Sequence, residues 1–231
     1  MSISHATSTA TTQTMIICVP QEIPSTALTS RQLDRHFGVT GSTSRRFWAG
    51  PKLRLWQKGH IIDPQKGAPV VCAGGPVRLL DLAGVVHAAG IGAGLRYQRY
   101  AQLAAGTKPA IPWADMLARH HADPERFPLT RAKAAFEAQP RVQAILLHNA
   151  ASYTPHDRID LAELGALQAG HIAYQHYKAM SQICGDALLT ERGQQLKPAS
   201  DAIADQARYL EQARAHLDSL DPDTRLLAVT L

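Results

Sequence analysis

The sequence has few of the residues that mark a specialised chemistry or compartment. It holds only three cysteines, Cys18, Cys72 and Cys184, far apart in the 231 residues. They exclude a disulfide framework, and no CxxC pair signals a zinc site, so a reducing cytoplasm is the expected compartment. No apolar run approaches the ~20 residues that span a bilayer, so no membrane partner is expected. The opening MSISHATSTATTQT contains no Lys or Arg. That excludes a secretory signal with a basic start and an Arg-rich transit peptide, and the stretch reads as a flexible tail.

The common catalytic signatures are missing too. There is no GxSxG and no HExxH, and no lysine of the phosphate-binding kind follows the glycines at Gly90, Gly92 and Gly94. Those glycines are expected to interrupt a helix. The eleven histidines are scattered; His171 and His176 are five apart, the wrong spacing for one helix face. His148, His156 and His171 have Asp157, Asp160 and Glu163 near them in sequence, the one setting in which a helical active site is conceivable. We expect no catalytic residue, no metal and no cofactor.

Acidic residues are scarce in one place. Between Thr29 and His60 stand Arg31, Arg35, Arg45, Arg46, Lys52, Arg54 and Lys58 against a single acid, Asp34. The segment therefore carries +6 of a formal net charge of +5, leaving −1 on the remaining 199 residues. Such a block is the electrostatic footprint of a phosphate-binding surface.

The periodicity of the chain predicts its elements. MIICVP reads as a short strand. Thr29 or Ser30 can cap a helix through Leu33 and Phe37 that Gly38 ends. A second helix is expected from Thr40–Thr43 to Trp48, where Ala49-Gly50-Pro51 stops it. The alternation of Leu53 and Leu55 with Lys52 and Arg54, then Lys58-Gly59 and HII, suits a hairpin, and VVC another strand. From Pro76 the pattern is helical, with helices at Trp113–His121, Thr130–Ala138, Val142–Asn149, Leu161–Leu189 (broken near Gly170) and Ser200–Leu220. LLAVTL is expected to add a strand or an extended arm.

Counting from Leu33, Gly38 falls at +5, Val39 at +6, Thr40 at +7, Thr43 at +10 and Phe47 at +14. This spacing resembles the winged helix-turn-helix of DNA-binding regulators, in the MerR and excisionase-like branch, over about Thr29 to Ile62. Ser44 departs from it, standing where that family buries Val, Ile or Leu. The resemblance implies that Thr40, Ser42, Thr43 and Arg45 reach base edges and that Arg46, Lys52, Arg54 and Lys58 meet phosphates.

The expected architecture is mainly α: a tail with a short strand over 1–24, a winged helix-turn-helix with a small β-hairpin over 25–75, and a helical region over 76–231. The expected function is sequence-specific binding of double-stranded DNA, in transcriptional regulation or as an accessory to replication, partition or recombination. The alternative is a helical interaction module or effector whose basic segment binds an acidic protein. A seam of Ala199, Ile203, Gln206, Leu210, Ala213, Leu217 and Leu220 would either pair two copies as a homodimer or dock on the chain's own core.

Overall fold

The computed structural model describes residues 13–20, 22–24, 28 and 30–231. The first twelve of the fourteen residues expected as a tail, the Thr29 cap and residues 21 and 25–27 lie outside them. The architecture is mixed α/β rather than mainly α. The chain forms two units, one of residues 1–82, 183–197 and 215–231, the other of 83–182 and 198–214.

The first unit is built on a mixed sheet of β1 (Thr14–Val19), β2 (Ser42–Thr43), β5 (Gly74–Pro76), β6 (Ala187–Leu189), β7 (Gln195–Leu196) and β8 (Arg225–Thr230). Its order is β2-β8-β1-β6-β7, with β5 also on β8. The MIICVP strand is β1, and it runs antiparallel to β8 from Thr14↔Thr230 to Val19↔Arg225 and parallel to β6. The LLAVTL strand is therefore central and not an arm. Its free edge takes β2 at Val229–Thr230 and β5 at Arg225–Leu227. One face of the sheet packs Met15, Ile17, Val19, Ala187, Leu227 and Val229 against Leu28, Leu33 and Val39. Leu33 belongs to α1 (Ser30–Phe37), the first helix foreseen, and Gly38 ends it at φ +63.

The second helix foreseen from Thr40 is replaced by extended backbone. Ser42 and Thr43 form β2, Ser44 N–H donates to the Ala228 carbonyl at 2.9 Å, and Phe47–Trp48 form β3. That strand pairs in a two-stranded ladder with β4 (Val71–Cys72), the VVC strand. Two causes are visible. Thr-Gly-Ser-Thr-Ser is a run of poor helix formers, and a Cβ at Gly41 would lie 2.3 Å from the Thr230 carbonyl oxygen. The hairpin foreseen over Leu53–Ile62 is also absent: Leu55–His60 is a 3-10 helix with no buried residue. Neither helix-turn-helix nor wing is formed in 40–62.

The second unit is helical: α2 (Leu82–Ala104), α3 (Trp113–Ala122), α4 (Leu129–Glu137), α5 (Pro140–Ala151), α6 (Leu164–Gln168), α7 (His171–Cys184) and α8 (Ile203–Asp218), with α2, α7 and α8 running on into the first. Its core gathers Tyr100, Met116, Phe136, Val142, Ile145, Leu164, Leu167 and Tyr174. The GIGAG run does not interrupt α2. Gly94 admits the Gln175 amide of α7, whose nitrogen would sit 2.6 Å from an added Cβ, and the same amide donates to the Gly90 carbonyl at 3.3 Å. Leu210, Ala213 and Leu217 of the α8 seam are buried within the chain. Among the described residues, no helix is long and apolar enough to cross a membrane.

Side chains close the loops of this unit. Gln168 and Ala110 exchange both hydrogen bonds, at 2.7 and 2.8 Å; Gln139 does the same with Ile111 and Asn149 with Ile159. Each amide thus copies one rung of a β-ladder where the backbone has no strand beside it. Glu163 accepts from Lys178 Nζ and from the Tyr174 hydroxyl, both at 2.6 Å. Burial alone would raise its carboxyl pKa. The Lys178 charge and hydrogen bond, then the Tyr174 hydroxyl and the Arg96 charge, outweigh burial and hold the pKa below the usual glutamate range.

Two predictions follow from this packing. A Cβ at Gly74 would lie 1.9 Å from the Leu226 carbonyl oxygen, whereas at Gly59 nothing lies within 4 Å. In urea unfolding Gly74→Ala should lose about 1–3 kcal/mol or more, and Gly59→Ala less than about 0.5 kcal/mol. Glu163 titrates below its unfolded value, so its contribution is full above pH ~4.3 and is lost as pH falls through the folded value. Glu163→Gln should be the less stable protein at neutral pH, and its melting temperature should drop less than the parent's on acidification from pH ~5 to ~3.

Candidate nucleic-acid interface

The basic segment divides into an anchored half and a projecting half. Arg45 reaches Asp63 twice, from Nη2 to the carboxylate at 2.8 Å and from Nε to the main-chain carbonyl at 3.2 Å. The Thr43 hydroxyl lies 3.5 Å from the other Asp63 oxygen. Asp63 stands at φ +47, a left-handed position that Asp tolerates better than most residues. Its neighbours Ile62 and Gln65 donate to the Gly74 and Val71 carbonyls at 2.9 and 2.7 Å. Arg46 donates to the Thr14 hydroxyl at 3.0 Å. Thr43, Arg45 and Arg46 therefore each meet a partner within the chain, and the Arg45 side chain is still 44% exposed.

The other half projects. Ala49 and Ile61 are buried at its two ends, where Ala49 N–H donates to Val70 and Ala73 N–H to Ile62, each at 2.9 Å. Between them Gly50–His60 carries Lys52, Arg54, Lys58 and His60 and no carboxylate. All four are exposed. In the 3-10 turn, Leu55 is 82% and Trp56 63% exposed. Large apolar side chains left mostly in water beside cations, on a short segment rooted at both ends, contribute little to the core and suit a contact surface.

Thr40 and Ser42 are exposed, on the chain before β2 and on β2, while Thr43 and Arg45 converge on Asp63. Lys52, Arg54 and Lys58 are the part of the set that the fold keeps together on one exposed segment. Trp56 belongs with them, 63% exposed between Arg54 and Lys58, and that placement is the signal the sequence offers.

Burial pushes the Cys72 thiol up to about 11, helped by the Asp63 carboxylate and opposed by the Gly74 N–H, so it is neutral. Two of the histidines set near Asp157, Asp160 and Glu163 in sequence make side-chain contacts within the chain. His148 Nε2 lies 2.9 Å from the Asp157 carbonyl, and His171 stacks on Tyr97 at 4.9 Å between centroids. No family model, curated protein or solved structure matches the chain.

Proposed function

We propose that this chain binds nucleic acid through the exposed Gly50–His60 segment. The observation that carries the reading is that Lys52, Arg54 and Lys58 stand exposed around Trp56 on a segment with no acidic residue. Ammonium and guanidinium groups displace counterions from phosphates, which supplies affinity whatever the sequence. An exposed indole adds a face on which an unpaired base stacks, worth about 1–3 kcal/mol per base.

Extended backbone where the second helix was expected favours backbone contact over major-groove reading. The chain then serves as an accessory or architectural protein in replication, partition or recombination, ahead of an operator-specific regulator. Double-stranded DNA remains a ligand of the cations, and single strands gain the indole.

The test is fluorescence anisotropy on random-sequence duplex and single-stranded oligonucleotides across a salt series. Binding should weaken linearly in log salt. The triple variant Lys52→Ala, Arg54→Ala, Lys58→Ala should reduce that slope by about 0.7–0.9 for each lost phosphate contact. Trp56→Ala should weaken single strands more than duplex. Arg45→Ala with Arg46→Ala should lower stability more than it lowers the salt slope. Unchanged binding in the triple variant overturns the reading; no binding of either form at low salt leaves an acidic protein partner as the ligand of this segment.

A further inference from the structure

On the face of the sheet opposite Met15, Ile17 and Val19, three side chains distant in sequence converge. Strand alternation turns Cys18 to that face, with Leu226 of β8 beside it in register. The parallel register of β1 and β6 ends at Ile17↔Leu189, one residue before Cys18 on β1 and one before Thr190 at the end of β6. There the chain reverses: Thr190 N–H donates to the Gln194 carbonyl, Gly193 N–H to the Thr190 carbonyl, both at 2.9 Å, and Gly193 takes φ +77. The reversal places Glu191 at the strand end. His216 comes from the last turn of α8, between buried Ala213 and Leu217. Its Nε2 is 2.8 Å from Glu191 Oε2, and Cys18 Sγ, the carboxylate oxygen and the imidazole nitrogen lie within 4.8 Å of one another.

We infer that Cys18, Glu191 and His216 form a zinc site. The donor set is one sulfur, one nitrogen and one oxygen, which suits Zn²⁺ and not the all-oxygen cages of Ca²⁺ or Mg²⁺. Tetrahedral coordination with bonds of ~2.0–2.3 Å holds ligand atoms about 3.5 Å apart. Glu191 and His216 are 2.8 Å apart and all three donor atoms lie within 4.8 Å of one another, so rotation of the Glu191 and His216 side chains can bring them to that spacing. Cys18 is fully buried, while the Glu191 and His216 side chains are 34% and 25% exposed. The ion thus has an entry path past the carboxylate and imidazole and keeps a fourth position for water, the open arrangement of three protein ligands. Without a cation, burial and secondarily the Glu191 charge push the Cys18 thiol up to about 12, and the sulfur is unreactive. The inference is independent of nucleic-acid binding, since none of the three residues lies in Gly50–His60.

The experiment is a Co²⁺ titration of the reduced full-length protein, followed optically, with Zn²⁺ as competitor. One Co²⁺ per chain should bind with a sulfur-to-cobalt charge-transfer band, and Zn²⁺ should displace it and raise the thermal midpoint. Cys18→Ala should abolish the band. His216→Gln and Glu191→Gln, at partly exposed positions that leave the core intact, should weaken Co²⁺ by more than the ~10–100-fold that loss of an outer-shell partner brings. Absence of a sulfur band at stoichiometric Co²⁺, or an unchanged affinity in His216→Gln, overturns the assignment.

Discussion

The pairing of β8 along both of its edges is the constraint on which the first unit rests. One edge carries β1 over its whole length, and the other carries β2 and β5 end to end. Ala73 and Ser44 are fastened through Ala228, whose N–H donates to the one and whose carbonyl accepts from the other. These are the roots of the chain that leaves the sheet at Thr43 and returns at Gly74, so the exposed cations of that excursion are held by hydrogen bonds to Arg225–Thr230. Buried side chains on both faces, Leu226 and Ala228 on one and Leu227 and Val229 on the other, make the strand expensive to displace.

Much of the helical unit was legible because its information is local. The helices at Trp113, Leu129 and Pro140 begin and end within about three residues of where periodicity and proline place them, and VVC and MIICVP are strands. The helix-turn-helix failed for the opposite reason. Leu33, Gly38, Val39 and Phe47 satisfy a spacing that also suits a helix, a turn and two short strands, and the decision is made by residues some two hundred positions away. Gly41 is the telling residue: in a local reading it is a permissive turn glycine, while in the fold it is where Thr230 leaves no room for a Cβ. The glycines of α2 carry the same lesson with the sign reversed, for Gly94 weakens the helix by propensity yet admits Gln175.

The candidate sites divide along the same line. The clustering of positive charge was visible without a structure, since it depends only on composition along the chain. Which cations remain available was not visible, because the diversion of Arg45 to Asp63 and of Arg46 to Thr14 depends on how loops return. Cys18, Glu191 and His216 left no trace in the sequence at all; no spacing rule relates a strand, a hairpin turn and the end of a helix. The paired bonds of Gln139, Asn149 and Gln168 were equally silent, although those of Gln139 and Gln168 fasten Ile111 and Ala110 between Pro109 and Pro112, which cannot donate.

The late position of β8 has a consequence for synthesis. A ribosome delivers residues 42–76 long before 225–230, so during elongation β2 and β5 have no β8 to pair with and β1 lacks that neighbour. Closing that ladder joins residues about two hundred apart, which makes it a slow, non-local step. The β3–β4 ladder that carries the cationic stretch draws only on residues 47–72, but its attachment to the sheet through β2 and β5 waits until Arg225–Thr230 has been made. Products of premature termination upstream of Arg225 would carry the charge without the scaffold that presents it.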